Sequence, residues 1–272
     1  MTLEDKSKNR PIGIFDSGVG GLSVLKEIIK LLPNENIIYF ADNANCPYGK
    51  KSCDEIIVLS DKIVRFLIKK NVKIIVVACN TATAASIQYL RNKYNSISFV
   101  GMEPAVKPAA INSKSGKIGI LATKGTLEGR LFKETSKKFA SDKDVIIRIG
   151  DGLVELVEAG KSDSTESFEL LKQYLLPMLE SGIDQLVLGC THYPFLINNI
   201  KKIVGSSINI IDPAFPVAKR LKDLLQEGNL LNSKNEKIIY NFYSSGNVNI
   251  MESMVNGFNM NNCYLNFEKL IN

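Results

Sequence analysis

Short apolar runs rich in isoleucine and valine punctuate the chain, and each gives way to a polar or small residue. The first four are PIGIF (11–15) before Asp16, NIIYFA (36–41) before Asp42, KIIVVA (73–78) before Cys79, and SISFVG (96–101), closely followed by Glu103-Pro104. Runs of this length bounded by breakers predict strands buried on both faces. Between them the period changes to that of a helix. Leu22, Leu25, Ile28, Ile29 and Leu32 fall on one helical face, and Pro33 ends that segment. Ser52 and Glu55 have the spacing of a capping box and open a second helix.

The pattern then restarts. KIGILA (117–122) stops at Thr123, DVIIRI (144–149) at Gly150, QLVLG (185–189) at Cys190 and INII (208–211) at Asp212. Matching runs are offset by about 110 residues, and Cys79 and Cys190 are 111 apart. Alternating strands and helices predict parallel sheets with helices on both faces. The fold class expected is therefore α/β, with two pseudo-symmetric, doubly wound parallel-sheet domains and the active site in the cleft between them. The first domain is expected to comprise 1–102 plus 214–272, because a last run, KIIYNFY (237–243), and a helix near 248–258 return to it. The second comprises 103–213. In open parallel sheets ligands bind at the carboxyl ends of the strands. That rule puts Asp16, Asp42, Cys79, Thr123 and Cys190 at binding edges.

Composition narrows the function more than the fold. The 272 residues are 45% hydrophobic and 23% charged, ordinary values for a globular protein with one large or two medium cores. No apolar stretch reaches the roughly 20 residues of a membrane span, and the polar start MTLEDKSKNR lacks the apolar core of a secretory signal. A cytoplasmic location is the default expectation. The net charge of +6 is spread along the chain without aromatic interleaving, which reads as a solvated surface. The expected partner is a small molecule, with no nucleic acid and no membrane. Five cysteines at 46, 53, 79, 190 and 263 argue against a disulfide framework. There is no C-x-x-C, no His stands near Cys46 or Cys53, and Cys190 with His192 alone makes too few zinc ligands. No metal and no cofactor is expected.

Cys79 and Cys190 differ from the other three, which read as small buried hydrophobes. Both end equivalent runs, and both precede hydrogen-bonding residues: Asn80 and Thr81 in one case, Thr191 in the other. Two thiols facing one carbon from opposite sides suit inversion of a stereocentre. A thiolate removes a proton, and a thiol returns one from the other face. A free thiol titrates near 8.5, so modest tuning makes it a base near neutrality. Asp16 is placed to relay the proton at Cys79, and His192, the sole histidine, at Cys190. The glycine loop DSGVGG (16–21) reads either as an anion cradle at a helix N-terminus or as a plain tight turn. The turn CPYG (46–49) carries Tyr48 and backbone amides suited to a carboxylate. A different chemistry, a thiol hydrolase or transferase with Cys190 as nucleophile and His192 as base, leaves Cys79 idle.

Six segments taken together, FDSGVGGLSVL (15–25), ADNANCPYGKKS (41–52), VVACNTATA (76–84), MEP (102–104), ATKGT (122–126) and LGCTHYPFL (188–196), closely resemble glutamate racemase, the cofactor-independent enzyme that makes D-glutamate for bacterial peptidoglycan. The resemblance runs through most of the chain. It implies Cys79 and Cys190 as the catalytic acid/base pair, with Asp16 and His192 assisting. It implies that Asp16, Ser17, Tyr48, Gly49, Asn80, Thr81, Thr123, Thr126, Thr191 and His192 hold the substrate, that Glu158 supports the site, and that the protein is a homodimer. A racemase for aspartate or another acidic amino acid, and a catalytically weak paralogue, are the alternatives. One stretch departs from the pattern. In GDGLVELVE (150–158), Gly150-Asp151 replace an expected Cys-Pro and Glu155 replaces a proline. Fewer prolines and more glycines should loosen this backbone.

Overall fold

The computed structural model describes residues 7–232, 238–258 and 263–270. Residues 1–6 of the polar start, and Lys237 at the head of the last predicted run, lie outside them. The apolar runs become strands β1 (Ile12–Asp16), β2 (Ile37–Ala41), β3 (Ile74–Val77), β4 (Ser98–Gly101), β5 (Lys117–Ala122), β6 (Asp144–Ile149), β7 (Gln185–Gly189), β8 (Asn209–Ile211) and β9 (Ile238–Ser244). A further strand, β10 (Cys263–Lys269), follows. All pairings are parallel, in a six-stranded sheet ordered β10-β9-β2-β1-β3-β4 and a four-stranded sheet ordered β6-β5-β7-β8. Without β9 and β10 the first order is 2-1-3-4, and the second repeats it. The duplication read from the run offsets is thus a duplication of topology, and β9 brings the chain back to β2.

Burial follows position in the sheet. β1, β2, β3 and β7 are buried along their whole length. The edge strands are not. Ile147 and Ile149 of β6 are each 38% exposed, so the uniform two-sided burial expected of every run holds only for central strands. β10 alternates between half-buried and exposed positions, as an edge strand covered on one face does.

The helices cover the sheets and aim loops at the strand ends. Leu22–Leu31 buries Leu22, Val24, Leu25 and Ile28 against the helix Ala214–Glu227, and Ile29 lies at the margin. Each such buried leucine or isoleucine contributes about 1.5–3 kcal/mol relative to exposure. The predicted capping box is present. Ser52 Oγ accepts from the Glu55 N–H, and the Glu55 carboxylate accepts from the Ser52 N–H, opening the helix Cys53–Lys69. At the opposite, amino ends of the strands, Lys73 Nζ donates to Glu35 (2.5 Å) and to the Lys8 and Leu230 carbonyls, a buried charge with its partners supplied.

Candidate active site

In each sheet the chain reverses direction of winding beside the first strand, at β1/β3 and at β5/β7. These crevices are where ligands bind in doubly wound sheets. β1 delivers Asp16 and β3 delivers Cys79, while β5 delivers Thr123 and β7 delivers Cys190. Cys79 caps the helix Asn80–Lys93, its sulfur accepting from the Ala82 N–H at 3.4 Å. Thr123 caps the helix Lys124–Glu128 in the same manner. The two crevices face each other. Ser17, Pro47, Tyr48, Gly49, Cys79, Asn80, Thr81, Thr123, Val154, Cys190, Thr191 and His192 line one chamber between the sheets. Asp16 is fully buried beneath it, and Thr126 stands just behind Thr123.

Both sulfurs are nearly enclosed, Cys79 at 4% exposure and Cys190 at 7%. Cys79 Sγ lies 3.7 Å from Ser17 Oγ, and burial, followed by the negative charge of Asp16, pushes its thiol well up. Asp16 accepts from the Gly18 and Gly21 N–H groups at 3.2 and 2.9 Å and from Thr191 Oγ1 at 3.5 Å. Burial raises its carboxyl, and the charge of His192 pulls the other way. Cys190 Sγ sits 3.7 Å from His192 Nδ1, while His192 Nε2 meets Glu158 Oε1 at 2.6 Å. Burial alone would lower the imidazole. Hydrogen bonds to Cys190, Cys46 and Glu158 outweigh it and hold His192 well above its ordinary range. Glu158 shows the converse: burial would raise it, but the bond to His192 and the Val19 N–H and Asn43 contacts keep it low.

Several sequence expectations take a different form here. The anion at the DSGVGG loop is a side chain of the protein itself. Val19 N–H donates to Glu158 Oε1 at 2.7 Å, and the neighbouring amides are taken by Asp16. The glycines are needed for that approach. A Cβ on Gly18 would stand 1.9 Å from Glu158 Oε1, and one on Gly20 2.3 Å from His192 Nδ1. Tyr48 lines the chamber, but its single hydroxyl proton goes to Asp42 at 2.6 Å, which makes Asp42 a support for Tyr48. The hydroxyls of Thr81, Thr123 and Thr126 bond one another across the cleft at 2.8–3.3 Å. Asn80 is the exception. It is 2% exposed, and neither its Oδ1 nor its Nδ2 has a partner. Such a group waits for a ligand with both a donor and an acceptor.

The GDGLVELVE stretch is also not loose. Gly152 starts the helix Leu153–Glu158 at φ 84°, a conformation glycine takes without strain, and Leu153, Val154, Leu156 and Val157 are buried. Tyr193 Oη donates to the Gly150 carbonyl, Tyr174 Oη to that of Asp151, and Lys50 Nζ to Glu155 at 2.7 Å. These side chains tie down the stretch in which the resemblance expects prolines. Of the cysteines read as buried hydrophobes, Cys53 is exposed at the first position of its helix, and Cys46 and Cys263 are half-buried. Cys46 faces His192, a contact that sequence spacing gave no means to find because 146 residues separate them.

A sequence model of the Asp/Glu/Hydantoin racemase family matches residues 12–219. The chain belongs to this family. Among relatives of this racemase-family protein, a glutamate racemase of Herpetosiphon aurantiacus is 45% identical over 239 residues, covering 88% of this chain and 94% of that one. The crystal structure of a glutamate racemase isoform from Bacillus anthracis superposes with a TM-score of 0.84 at 35% identity, covering 97% and 98% of the two chains. Glutamate racemase from Francisella tularensis, solved in complex with D-glutamate, superposes at 0.82 with 32% identity and the same coverage. The fold of this chain, two parallel-sheet α/β units, is the one on which both solved racemases superpose. Among the described residues no helix is long and apolar enough to cross a membrane.

Proposed function

We propose that this chain is a glutamate racemase that interconverts L- and D-glutamate by moving the α-proton between Cys79 and Cys190 without a cofactor. One observation carries the reading: two cysteines at equivalent strand ends line a single chamber from opposite sheets. The names of the relatives support glutamate as substrate, as does the bound D-glutamate in the Francisella enzyme.

The geometry suggests a division of labour. Cys79, pushed up by burial, rests as the thiol, with Asp16 in hydrogen-bond contact to relay its proton. Cys190 lies beside an imidazolium that Glu158 keeps charged. With L-glutamate bound, Cys190 takes the α-proton and Cys79 donates one to the opposite face, which yields the D form. The reverse reaction exchanges the roles. Asn80 is free to meet the α-carboxylate and ammonium, and Ser17, Thr81, Thr123 and Thr191 re-aim their hydroxyls toward the substrate carboxylates. Fixed donors in a closed site stabilise the charge that develops at the α-carbon. Supply of D-glutamate to bacterial peptidoglycan in the cytoplasm, and assembly as a homodimer, go with this reading.

The test is turnover of each enantiomer in heavy water. Solvent deuterium is expected at the α-carbon of the product, and Cys79→Ser or Cys190→Ser should each lower kcat/KM by roughly 10²–10⁴-fold. Activity on aspartate alone, or full activity in Cys79→Ser, would overturn the proposal. The second outcome is what a Cys190–His192 hydrolase predicts.

A further inference from the structure

Behind the chamber, Cys46, Glu158 and His192 bring a sulfur, a carboxylate oxygen and a ring nitrogen within 4.8 Å of one another. His192 Nε2 and Glu158 Oε1 are 2.6 Å apart. Ligands at about 2.0–2.3 Å on a tetrahedral zinc ion stand roughly 3.3–3.8 Å from each other. A cation entering this triad therefore needs the carboxylate and imidazole to part by about an ångström. Thiolate with imidazole and carboxylate is a donor set for zinc and its thiophilic neighbours. It does not suit magnesium or calcium, which take oxygen ligands.

The surroundings favour occupancy. The other Glu158 oxygen accepts from Asn43 Nδ2 at 2.6 Å, which orients the carboxylate as outer-shell partners do around metals. His192 is closed off, but the Glu158 side chain keeps 18% of its exposure and Cys46 is half-buried, so solvent reaches the triad from that side. Three protein donors leave a fourth position for water.

We propose that Cys46, Glu158 and His192 form an inhibitory site for a thiophilic divalent cation, zinc foremost. The ion binds the Cys46 sulfur as thiolate, the Nε2 lone pair and a carboxylate oxygen. The thiol proton and the proton shared by His192 and Glu158 leave to solvent, and nothing is oxidised or reduced. The ion fixes the His192 ring, which lines the chamber, and ties the 43–49 loop of the first sheet to the second sheet. That the site inhibits rests on the racemase reading; that it binds metal does not.

The experiment uses metal-free full-length protein at one fixed pH, titrated with cobalt(II) for spectra and with zinc(II) for turnover. Wild type is expected to bind one cobalt per chain with a thiolate-to-cobalt charge-transfer band, and zinc is expected to inhibit racemisation. Cys46→Ala, and Cys46→Ser as a second variant, should lose the band and weaken zinc inhibition by about tenfold or more. Both should keep native circular dichroism, and zinc inhibition of each is scored as a fraction of its own zinc-free turnover. Cys53→Ala should change nothing. A band and inhibition that survive unchanged in Cys46→Ala would place the metal on the Cys79 and Cys190 sulfurs and overturn the site. No cobalt band in wild type would overturn it as well. A cobalt band in a protein that does not racemise keeps the site and sinks the function reading, so the two failures are distinguishable.

Discussion

Glu158 acts on His192 with the same sign as Asp16 on Cys79, but the consequences differ. A carboxylate 2.6 Å from the ring holds the imidazole in its charged form, and the charge of Asp16 helps keep the Cys79 thiol neutral, against its use as a base. Glu158→Gln removes the charge and leaves the shape. His192 then titrates lower, so the alkaline limb of the kcat/KM profile should move to lower pH, and kcat/KM should fall by less than the roughly 10²–10⁴-fold of removing an acid/base group itself. Because the equilibrium constant of a racemisation is one, the profiles measured from L- and D-glutamate must coincide, and the shift should appear in both. Stability follows the same pair. The depressed Glu158 contributes above about 4.5 and loses its contribution as pH falls through its folded value. The elevated His192 contributes fully below about 6.5 and loses its contribution as pH rises through its folded value. Denaturant titrations should show the advantage of wild type over Glu158→Gln greatest between these limits and smaller on either side. Asp16, Cys79, Cys190 and His192 were readable in the sequence because parallel strands all deliver their last residues to one edge. Cys46 and Asn43 were not, since the direction of a side chain in a turn depends on the path of the loop.

At the level of elements, the loop 16–21 carries more constraint than any strand. It must turn from β1 into the helix Leu22–Leu31 while admitting Glu158 and His192 to its backbone. Gly20→Ala puts a methyl group 2.3 Å from His192 Nδ1 and 2.6 Å from Thr191 Oγ1, so both the ring and the hydroxyl must give way. Turnover should drop by roughly 10²-fold or more as His192 moves away from Cys190. Ser52→Ala provides the contrast. It breaks a capping box on the exposed end of the helix Cys53–Lys69, so stability should fall by about 1 kcal/mol in denaturant titration with kcat little changed. Nine strands were legible as apolar runs: the central ones have no polar face to interrupt them, and the edge strands β4, β6 and β8 keep enough apolar residues to read alike. β10 was not, because an edge strand written CYLNFEK mixes Asn, Glu and Lys among its apolar positions and has no counterpart in the second sheet from which to infer it. The 150–158 stretch misled in the other direction. Its glycines argued for looseness, but the hydroxyls that pin it come from Tyr174 and Tyr193, remote positions with no local signature.

For the molecule as a whole, the site exists only where two sheets meet; one apolar cluster runs through both halves, and around the chamber polar contacts join them as well. Glu158 reaches Val19 and Asn43, Ser23 Oγ donates to the Thr191 carbonyl, the three threonine hydroxyls cluster, and Lys50 pairs with Glu155 at the rim. Such contacts can exchange for water without loss of hydrogen bonds. Outside it lies a cleft of about 530 Å³ whose lining includes Lys50, Lys51 and Lys124 alongside Glu128 and Asp151. Glu155 and Glu128 pair with Lys50 and Lys124, at 2.7 and 3.8 Å, which leaves Lys51 as the cation that offsets Asp151 on the approach. Glutamate carries one net negative charge. At roughly 10 Å in water each unit charge is worth about 0.4 kcal/mol, so reversing Lys51 with Lys51→Glu amounts to about 0.8 kcal/mol, or about fourfold in the concentration of substrate at the mouth. KM should rise by about that factor at low ionic strength, with kcat unchanged because Lys51 does not line the chamber. With a screening length near 3 Å at 1 M salt, the variant and wild-type KM values should converge there. A difference that persists in high salt would mean that Lys51 shapes the cleft by contact and not by charge.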